Sequence, residues 1–524
     1  MPRILRYPKV SVPTSSLVVT DLSKDQMDGQ IAACVLQGIV NRQCKQKIYV
    51  MNTYCYDNKS GGSKQAQVAE RFLKELFSDI PTERLQGTDD RDWSGLFTLL
   101  DRFGGFIKGM IIWDPKLEQA TIEAATTIAG QTDGIVVSPV LAEALHSRNL
   151  PVIADLRDYD FQDNLECLQW LMENWLDGAC KDIAFTWSHM TTDVKSWGAA
   201  NKDYIVALKL FTFYLDITND EEREHYIDLL KYYPPGTPVM GWTDERWSDP
   251  LFMQLGYFMV PYISVENLTV QSSFPSTSRK QPDPHPLEVH NDGVYIAFHV
   301  ADGDNLLHSM VYEPDIIMNS SDYGKIPVTW VINPGIVDLA PRLFDWYFAK
   351  LGTQEIAAQV GDGHPRSDRS TAFKLYCDIS KGYLQRAGVR TMKQMEESEA
   401  VAWNLQPYVM NSGYNGARRG IGPYEYHMDN ETFHIGSVNM KDDPENIRKL
   451  VHDAPKDQPL FLNVFCGTAI RDVPAIIKHA AESLKSTQYS DGKHYFFVRS
   501  MDMAATYRKW KKMPILPYQN LYDK

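Results

Sequence analysis

The sequence lacks most of the features that tie a chain to a membrane, a polyanion, a metal scaffold or a nucleotide. No run of about 18 apolar residues occurs in it, and a helix needs about 20 to cross a bilayer. The opening Met1-Pro2-Arg3-Ile4-Leu5-Arg6 has no apolar leader-like stretch, so the expectation is a soluble, unanchored chain, cytoplasmic or a secreted mature form. Basic residues are outnumbered: 53 Lys and Arg stand against 67 Asp and Glu, a formal charge of −14. With no basic stripe to offset that charge, neither nucleic acid nor an anionic membrane is an expected partner. The seven cysteines (34, 44, 55, 167, 180, 377 and 466) form no C-x-x-C pair and no Cys/His ligand spacing, which argues against a structural zinc site. They read as reduced, buried thiols, with a Cys34–Cys55 pairing as the alternative. No G-x-S-x-G elbow or Cys/His nucleophile context supports acyl-enzyme chemistry.

What the chain does have is core-forming material. Hydrophobic residues make up 44% and aromatics 11% of 524 residues, enough for about three domains. The 12 Trp and 27 Tyr suit sugar stacking as well as core packing. Apolar runs alternate with helical spacing: a helix to Arg42, a strand at 47–51, a helix near 64–77, strands at 109–113, 134–137 and 151–154 with helices between. Such alternation predicts parallel sheets covered on both faces, and this first α/β domain is placed at 1–155, with no G-x-G-x-x-G or G-x-x-x-x-G-K-[ST] to mark a nucleotide site. A Trp-rich middle α/β domain follows at 156–285, with strands read at 183–185 and 204–208. It ends in a Pro/Ser-rich stretch, 272–291, that reads as a linker. In 286–524, seven or eight strands with helical crossovers predict a (β/α) barrel, complete or incomplete.

Two strand ends stand out. Tyr295-Ile-Ala-Phe-His-Val-Ala301 runs into Asp302-Gly303-Asp304-Asn305, and Thr237-Pro-Val-Met-Gly241 runs into Trp242-Thr243-Asp244-Glu245. Carboxylates delivered to the carboxyl ends of strands sit where α/β folds collect their chemistry. Asp302 and Asp304, two apart, would face the same side, so that their mutual repulsion raises one pKa. An indole beside Glu245 would desolvate it and make it an acid. The competing readings are a plain strand-to-helix turn and an acidic helix start. His299 shares a face with Ala297 and Ala301 and reads as a hydrogen-bonded, barrel-lining histidine. His308 could reach the site from the first helical turn.

Several stretches together resemble the family named for a GxGYxYP motif and classed with the glycoside hydrolases. They are Leu36-Gln-Gly-Ile-Val-Asn-Arg42, Trp113-Asp-Pro115, Ile135-Val-Val-Ser-Pro139, Gly241-Trp-Thr-Asp-Glu245, Glu266-Asn-Leu-Thr-Val270 and Asp302-Gly-Asp-Asn305. Asn333-Pro334, Ala340-Pro341 and Gly361-Asp-Gly363 continue the order, so the resemblance spans about 15–510. The namesake motif is broken: after Gly363 stand His364-Pro-Arg-Ser367 in place of Tyr-x-Tyr-Pro, and the roles of those tyrosines do not carry over. The resemblance implies glycosidic cleavage of a carbohydrate substrate, with no cofactor. Such cleavage needs one protonated and one ionised carboxyl group. Asp302, Asp304 and Glu245 are the expected catalytic groups, with one of the aspartates as base or nucleophile and Glu245 as acid. Asn305, Trp242, Asp244, Asp362, His364, Trp330 and Asn333 are expected to bind substrate, where the middle domain meets the barrel rim.

Two alternatives follow from the same residues. The layout of Asp302-x-Asp304, then Val328–Ile332, then Gly361–His364 also resembles metal-dependent polysaccharide deacetylases. A divalent metal on Asp302, Asp304 and His364 would then activate water, with Asp368 standing where a second histidine is missing. The other is a non-catalytic glycan-binding protein built on aromatics and an Asp/Asn cluster.

Overall fold

The computed structural model describes residues 7–51, 53, 64–87, 93–187, 199–261, 265–358, 371–393, 405, 408–411, 425–429, 431–440, 445–455, 457–468, 472–486 and 492–517. The chain divides into two compact units, one of residues 6–276 with 338–343, the other of 277–337 with 344–524.

The amino-terminal unit holds three parallel sheets. Ser16–Asp21 lies between Gln46–Met51 and Thr82–Arg84; Gly109–Ile112 lies between Gly134–Val137 and Val152–Asp155. The third sheet runs Phe258–Pro261, Pro238–Trp242, Cys180–Trp187, Leu210–Tyr214. One apolar core extends from Val18 to Met259, across residue 155. The helix Met27–Asn41 is buried along nearly its whole length, which requires other helices to approach it closely. Gly38 allows this: a Cβ there would sit 2.5 Å from the carbonyl oxygen of Asp203.

That contact explains one departure from expectation. Tyr204-Ile-Val-Ala-Leu208, which reads as a strand from its β-branched run, is the helix Lys202–Leu208. A short apolar run does not distinguish a buried strand from a buried helix by pattern. Left-handed Asn201 and Lys209 close its two ends, and the strand lies just beyond, at Leu210–Tyr214. The strand Phe258–Pro261 is not anticipated by the sequence pattern at all.

In the carboxy-terminal unit we number the strands β1 (Gly293–Ala301), β2 (Val328–Val331), β3 (Glu355–Ala357), β4 (Thr391–Lys393), β5 (Val409–Asn411), β6 (Tyr426–Asp429), β7 (Thr432–Ile435), β8 (Ser437–Asn439), β9 (Leu460–Thr468) and β10 (His494–Phe497). β1 pairs in parallel with β2 and with β9, β2 with β3, β4 with β5, β5 with β7, and β8 with β9. A parallel bridge, Ala358 to Met392, joins β3 to β4. Only Gly436 separates β7 from β8, so the parallel pairings return to β1 in a barrel-like order. β6 is an antiparallel addition on β7. β10 pairs with the first half of β1, residues 293–296, on the edge that β2 takes further along. Because the strands are parallel, their carboxyl ends share one rim.

The Pro/Ser-rich stretch is not a free tether. Gln281, 1% exposed, donates to the carbonyls of Ile356 and Gly388 and accepts from the Ile356 amide. The His285 and Leu287 amides donate to Asp502 and Thr506. The segment is thus strapped to the carboxy-terminal unit, its prolines excusing it from sheet pairing without leaving it unpartnered.

The six described cysteines, 34, 44, 167, 180, 377 and 466, form no disulfide with one another, and Cys55 lies outside the described residues. No described helix is long and apolar enough to cross a membrane.

Candidate active site

The turn after β1 is shaped by backbone constraints before side chains enter. Asp302 is left-handed, with φ of 68°. Gly303 presses against β2 so closely that a Cβ would fall 1.4 Å from the carbonyl oxygen of Val331. Only glycine fits there, which explains why a glycine separates the two aspartates. Ser309 Oγ donates to the Gly303 carbonyl and accepts from the Asn333 amide at 2.9 Å. Asn333 donates through Nδ2 to the Asp304 carbonyl at 2.9 Å and accepts at Oδ1 from the Gly335 amide at 2.8 Å. Asn305 Oδ1 accepts from the Leu307 amide. In this structure, then, the side chains of Asn305 and Asn333 hold the loop through its backbone.

On that frame Asp304 is 2% exposed and Asp302 half-buried. A π-helical turn, His308–Tyr312, follows and leads into the helix Glu313–Asn319, with the Glu313 amide donating to the His308 carbonyl. π turns of this kind recur at functional sites. Here it brings His308 and Glu313 toward the two aspartates. Burial pushes the His308 imidazole below its ordinary pKa, against the charges of Asp302 and Asp304, which pull it up. Its Nδ1 is buried with no hydrogen-bond partner. Glu313 is fully buried, and burial, reinforced by the charges of Asp302 and Asp304, holds its pKa well above the usual carboxylate range. Tyr347 Oη donates to the Ser309 carbonyl at 2.7 Å and lies 3.3 Å from Glu313 Oε2. The rim therefore carries a carboxyl group whose burial favours its protonated form, in the field of a pair of aspartates, the asymmetry that acid–base chemistry needs.

Inside the strands, just below this rim, lies a second polar group. His299 on β1 is paired in register with Phe465, and Lys393 at the end of β4 with Asn411 at the end of β5. All three polar side chains are buried. Asn463 on β9 donates to Ser437 Oγ at 2.7 Å, which turns its Oδ1 toward His299 Nδ1 at 3.1 Å. Burial first, and the Lys393 charge second, lower the His299 pKa to about 3, so the ring is neutral at pH 7. With its proton on Nδ1, Nε2 is a bare acceptor, and it has no partner. Both amide atoms of Asn411 are likewise buried without partners. Buried polar atoms left unpaired are costly, and such groups call for water or a ligand.

Three groups of sequence-derived candidates remain. Trp330 is 1% exposed, on the strand face opposite Thr329, where its Nε1 donates to Gln354. Its ring centroid lies 6.0 Å from that of Tyr323. Asp362, His364 and Asp368 lie outside the described residues. Trp242, half-buried, and Asp244, 4% exposed, belong to the amino-terminal unit. Glu245 begins the helix Glu245–Leu255 of that unit, its side chain outside the described residues. Asp302, Asp304, Asn305, His308 and Asn333 are thus the candidates brought together.

Glu313, Tyr347, Lys393, Asn411 and Asn463 are absent from the sequence reading. Glu313 had a legible signal: Leu306, Met310, Glu313 and Ile317 follow helical spacing on one buried stripe, and a carboxylate on such a stripe is anomalous. Lys393 and Asn411 end strands of three residues, too short for alternation to show which face they take.

Three family models match the chain: "GxGYxYP_N second domain" over residues 107–179, "GxGYxYP third domain" over 185–273, and "GxGYxYP putative glycoside hydrolase C-terminal domain" over 292–467. Among solved structures, a crystal structure described as a putative hydrolase from Bacteroides thetaiotaomicron superposes with a TM-score of 0.76 over 99% of each chain at 19% identity. A putative polysaccharide deacetylase from Mycobacterium smegmatis matches 45% of this chain and 97% of its own, at 11% identity and a TM-score of 0.31. No functionally curated protein matches the sequence.

Proposed function

The chain belongs to the GxGYxYP family, and from that premise we propose that it is a hydrolase of glycosidic bonds acting at the carboxyl rim of the β1–β9 strands. The observation that carries this reading is the full burial of Glu313 in the field of Asp302 and Asp304, which favours its protonated form. Glycoside cleavage needs a proton held for the leaving oxygen and an ionised carboxylate for water or the anomeric carbon. Asp302, the more exposed of the pair, is the carboxylate that meets the sugar. Asp304 and Glu313 share the proton inventory behind it. The unpartnered Nε2 of His299 and the Asn411 amide offer one acceptor and a donor–acceptor pair to a neutral, hydroxyl-rich ligand.

A second reading rests on His308, whose buried, unpartnered Nδ1 lies in the field of both aspartates. Asp302, Asp304 and His308 are a plausible donor set for a divalent metal that activates water, as in deacetylation. Their ligand atoms do not gather within 4.8 Å of one another, which weighs against it.

The test is product release from a broad glycan panel by wild type, Asp304→Asn and Glu313→Gln, with and without chelator. The glycosidase reading expects new reducing ends, indifferent to chelator and reduced by about 10²–10⁴-fold in Asp304→Asn. Acetate release that dies with chelator would replace it by the metal reading. Reducing ends undiminished in Asp304→Asn would remove the carboxylate assignment.

A further inference from the structure

At the opposite, amino-terminal end of the strands, three side chains converge that the proposed reaction does not use. His290 and Asp292 precede β1, and His494 opens β10. One ligand atom from each lies within 4.8 Å of the others, the one such trio among the described residues. We propose that His290, Asp292 and His494 form a binding site for a transition-metal dication of the zinc type, which clamps the start of β10 to the start of β1.

The fold brings the three together and holds their backbones. β1 and β10 pair in parallel with Gly293 opposite His494, and the His494 amide donates to the Asp292 carbonyl at 3.1 Å. The turn carrying His290 and Asp292 is closed by the Gly293 amide on the His290 carbonyl at 3.0 Å. The His290 amide in turn donates to Tyr295 Oη at 3.1 Å. The His290 ring is oriented by stacking on Phe496, centroids 5.5 Å apart at 11°. His494 Nδ1 stands 3.7 Å from Asp292 Oδ2.

Two imidazoles and a carboxylate set the class of ion. Calcium and magnesium take oxygen ligands, whereas imidazole nitrogen favours zinc and its first-row neighbours. Zinc–ligand lengths of about 2.0–2.1 Å in a tetrahedral shell bring ligand atoms to roughly 3.4 Å apart. Side-chain rotation of about an ångström, with no backbone movement, closes the gap. His494 and Asp292 are 64% and 48% exposed, so an ion can enter from solvent and keep water in its fourth position. The competing account is a simple His494–Asp292 ion pair, which binds no metal.

The discriminating measurement is Zn²⁺ titration of the chelator-stripped, full-length chain against a chromophoric competitor, together with thermal melts. Wild type is expected to bind about one equivalent and to melt several degrees higher with zinc present. His494→Ala removes an exposed side chain and should leave the apo melting temperature unchanged. Its zinc affinity is expected to fall by at least about tenfold, with the thermal shift lost, and Asp292→Asn should behave alike. Absence of stoichiometric binding in wild type overturns the proposal, as does binding of equal strength in both variants. Glycan cleavage is not a readout here, so failure of this site leaves the rim chemistry untouched, and the reverse.

Discussion

Gly303 shows how much of a site can depend on the absence of one atom. The carbonyl of Val331 occupies the space a Cβ would need, at 1.4 Å, and it belongs to β2 and cannot step aside. The turn is further fixed by Ser309 on the Gly303 carbonyl and by Asn333 on the Asp304 carbonyl. Gly303→Ala must therefore push the loop off β2 and break both anchors. The expected cost is about 3 kcal/mol or more in urea unfolding, with loss of turnover even where the variant folds. A variant that unfolds at the wild-type midpoint would mean that Asp302 and Asp304 do not depend on this contact.

At the level of elements, the most consequential polar contact is buried in the amino-terminal unit. Lys202 and Glu123 form an ion pair with side chains 1% and 7% exposed, and Thr212 Oγ1 donates to the second oxygen of Glu123 at 2.7 Å. Three elements meet there: the helix Glu118–Thr132, the helix Lys202–Leu208 and the strand Leu210–Tyr214. Lys202→Met leaves a buried carboxylate without its countercharge and is expected to destabilise by about 3–5 kcal/mol. The double change with Glu123→Gln should recover most of that. Equal loss in single and double variants would assign the effect to packing alone.

The same helix marks where sequence reading reaches its limit. Long amphipathic helices and the nine-residue β1 are legible because many positions vote for one period. Lys202–Leu208 is short, and after Lys202 and Asp203 it is an apolar run whose pattern alone does not distinguish helix from strand. At the rim, Asp302 and Asp304 are legible because two carboxylates end an apolar strand. Lys393 and Asn411 are not, since their neighbours lie in other strands and only the parallel pairing of β4 with β5 makes them adjacent.

Taken over the whole molecule, buried acids should make stability depend on pH. Burial raises Asp25 to about 6, against the Leu96 and Gly95 amides that lower it, and raises Asp203 to about 6. It raises Glu355 to about 7, although Thr391, Thr329 and the Met501 amide all donate to it. Each of these groups binds its proton more tightly folded than unfolded. Between the unfolded value, about 4, and the folded value, the native state thus holds more protons, and stability falls as pH rises through that window. Half-buried Asp155 and Asp322 and exposed Asp228 are shifted down by Arg157, Lys325 and Lys231 and act in the opposite sense, but in a lower range and screened by solvent. Buried His299 and His434, lowered to about 3 and about 4, also act in the opposite sense, losing stability as pH falls below about 6.5. Glu355 alone should make the carboxy-terminal unit on the order of 2 kcal/mol more stable at pH 5.5 than at pH 8. Glu355→Gln, which has no proton to lose, should flatten that dependence by the same amount. Urea melts of both proteins at the two pH values measure it, and identical slopes would mean that Glu355 is solvated, with its carboxylate ionised, in the folded chain.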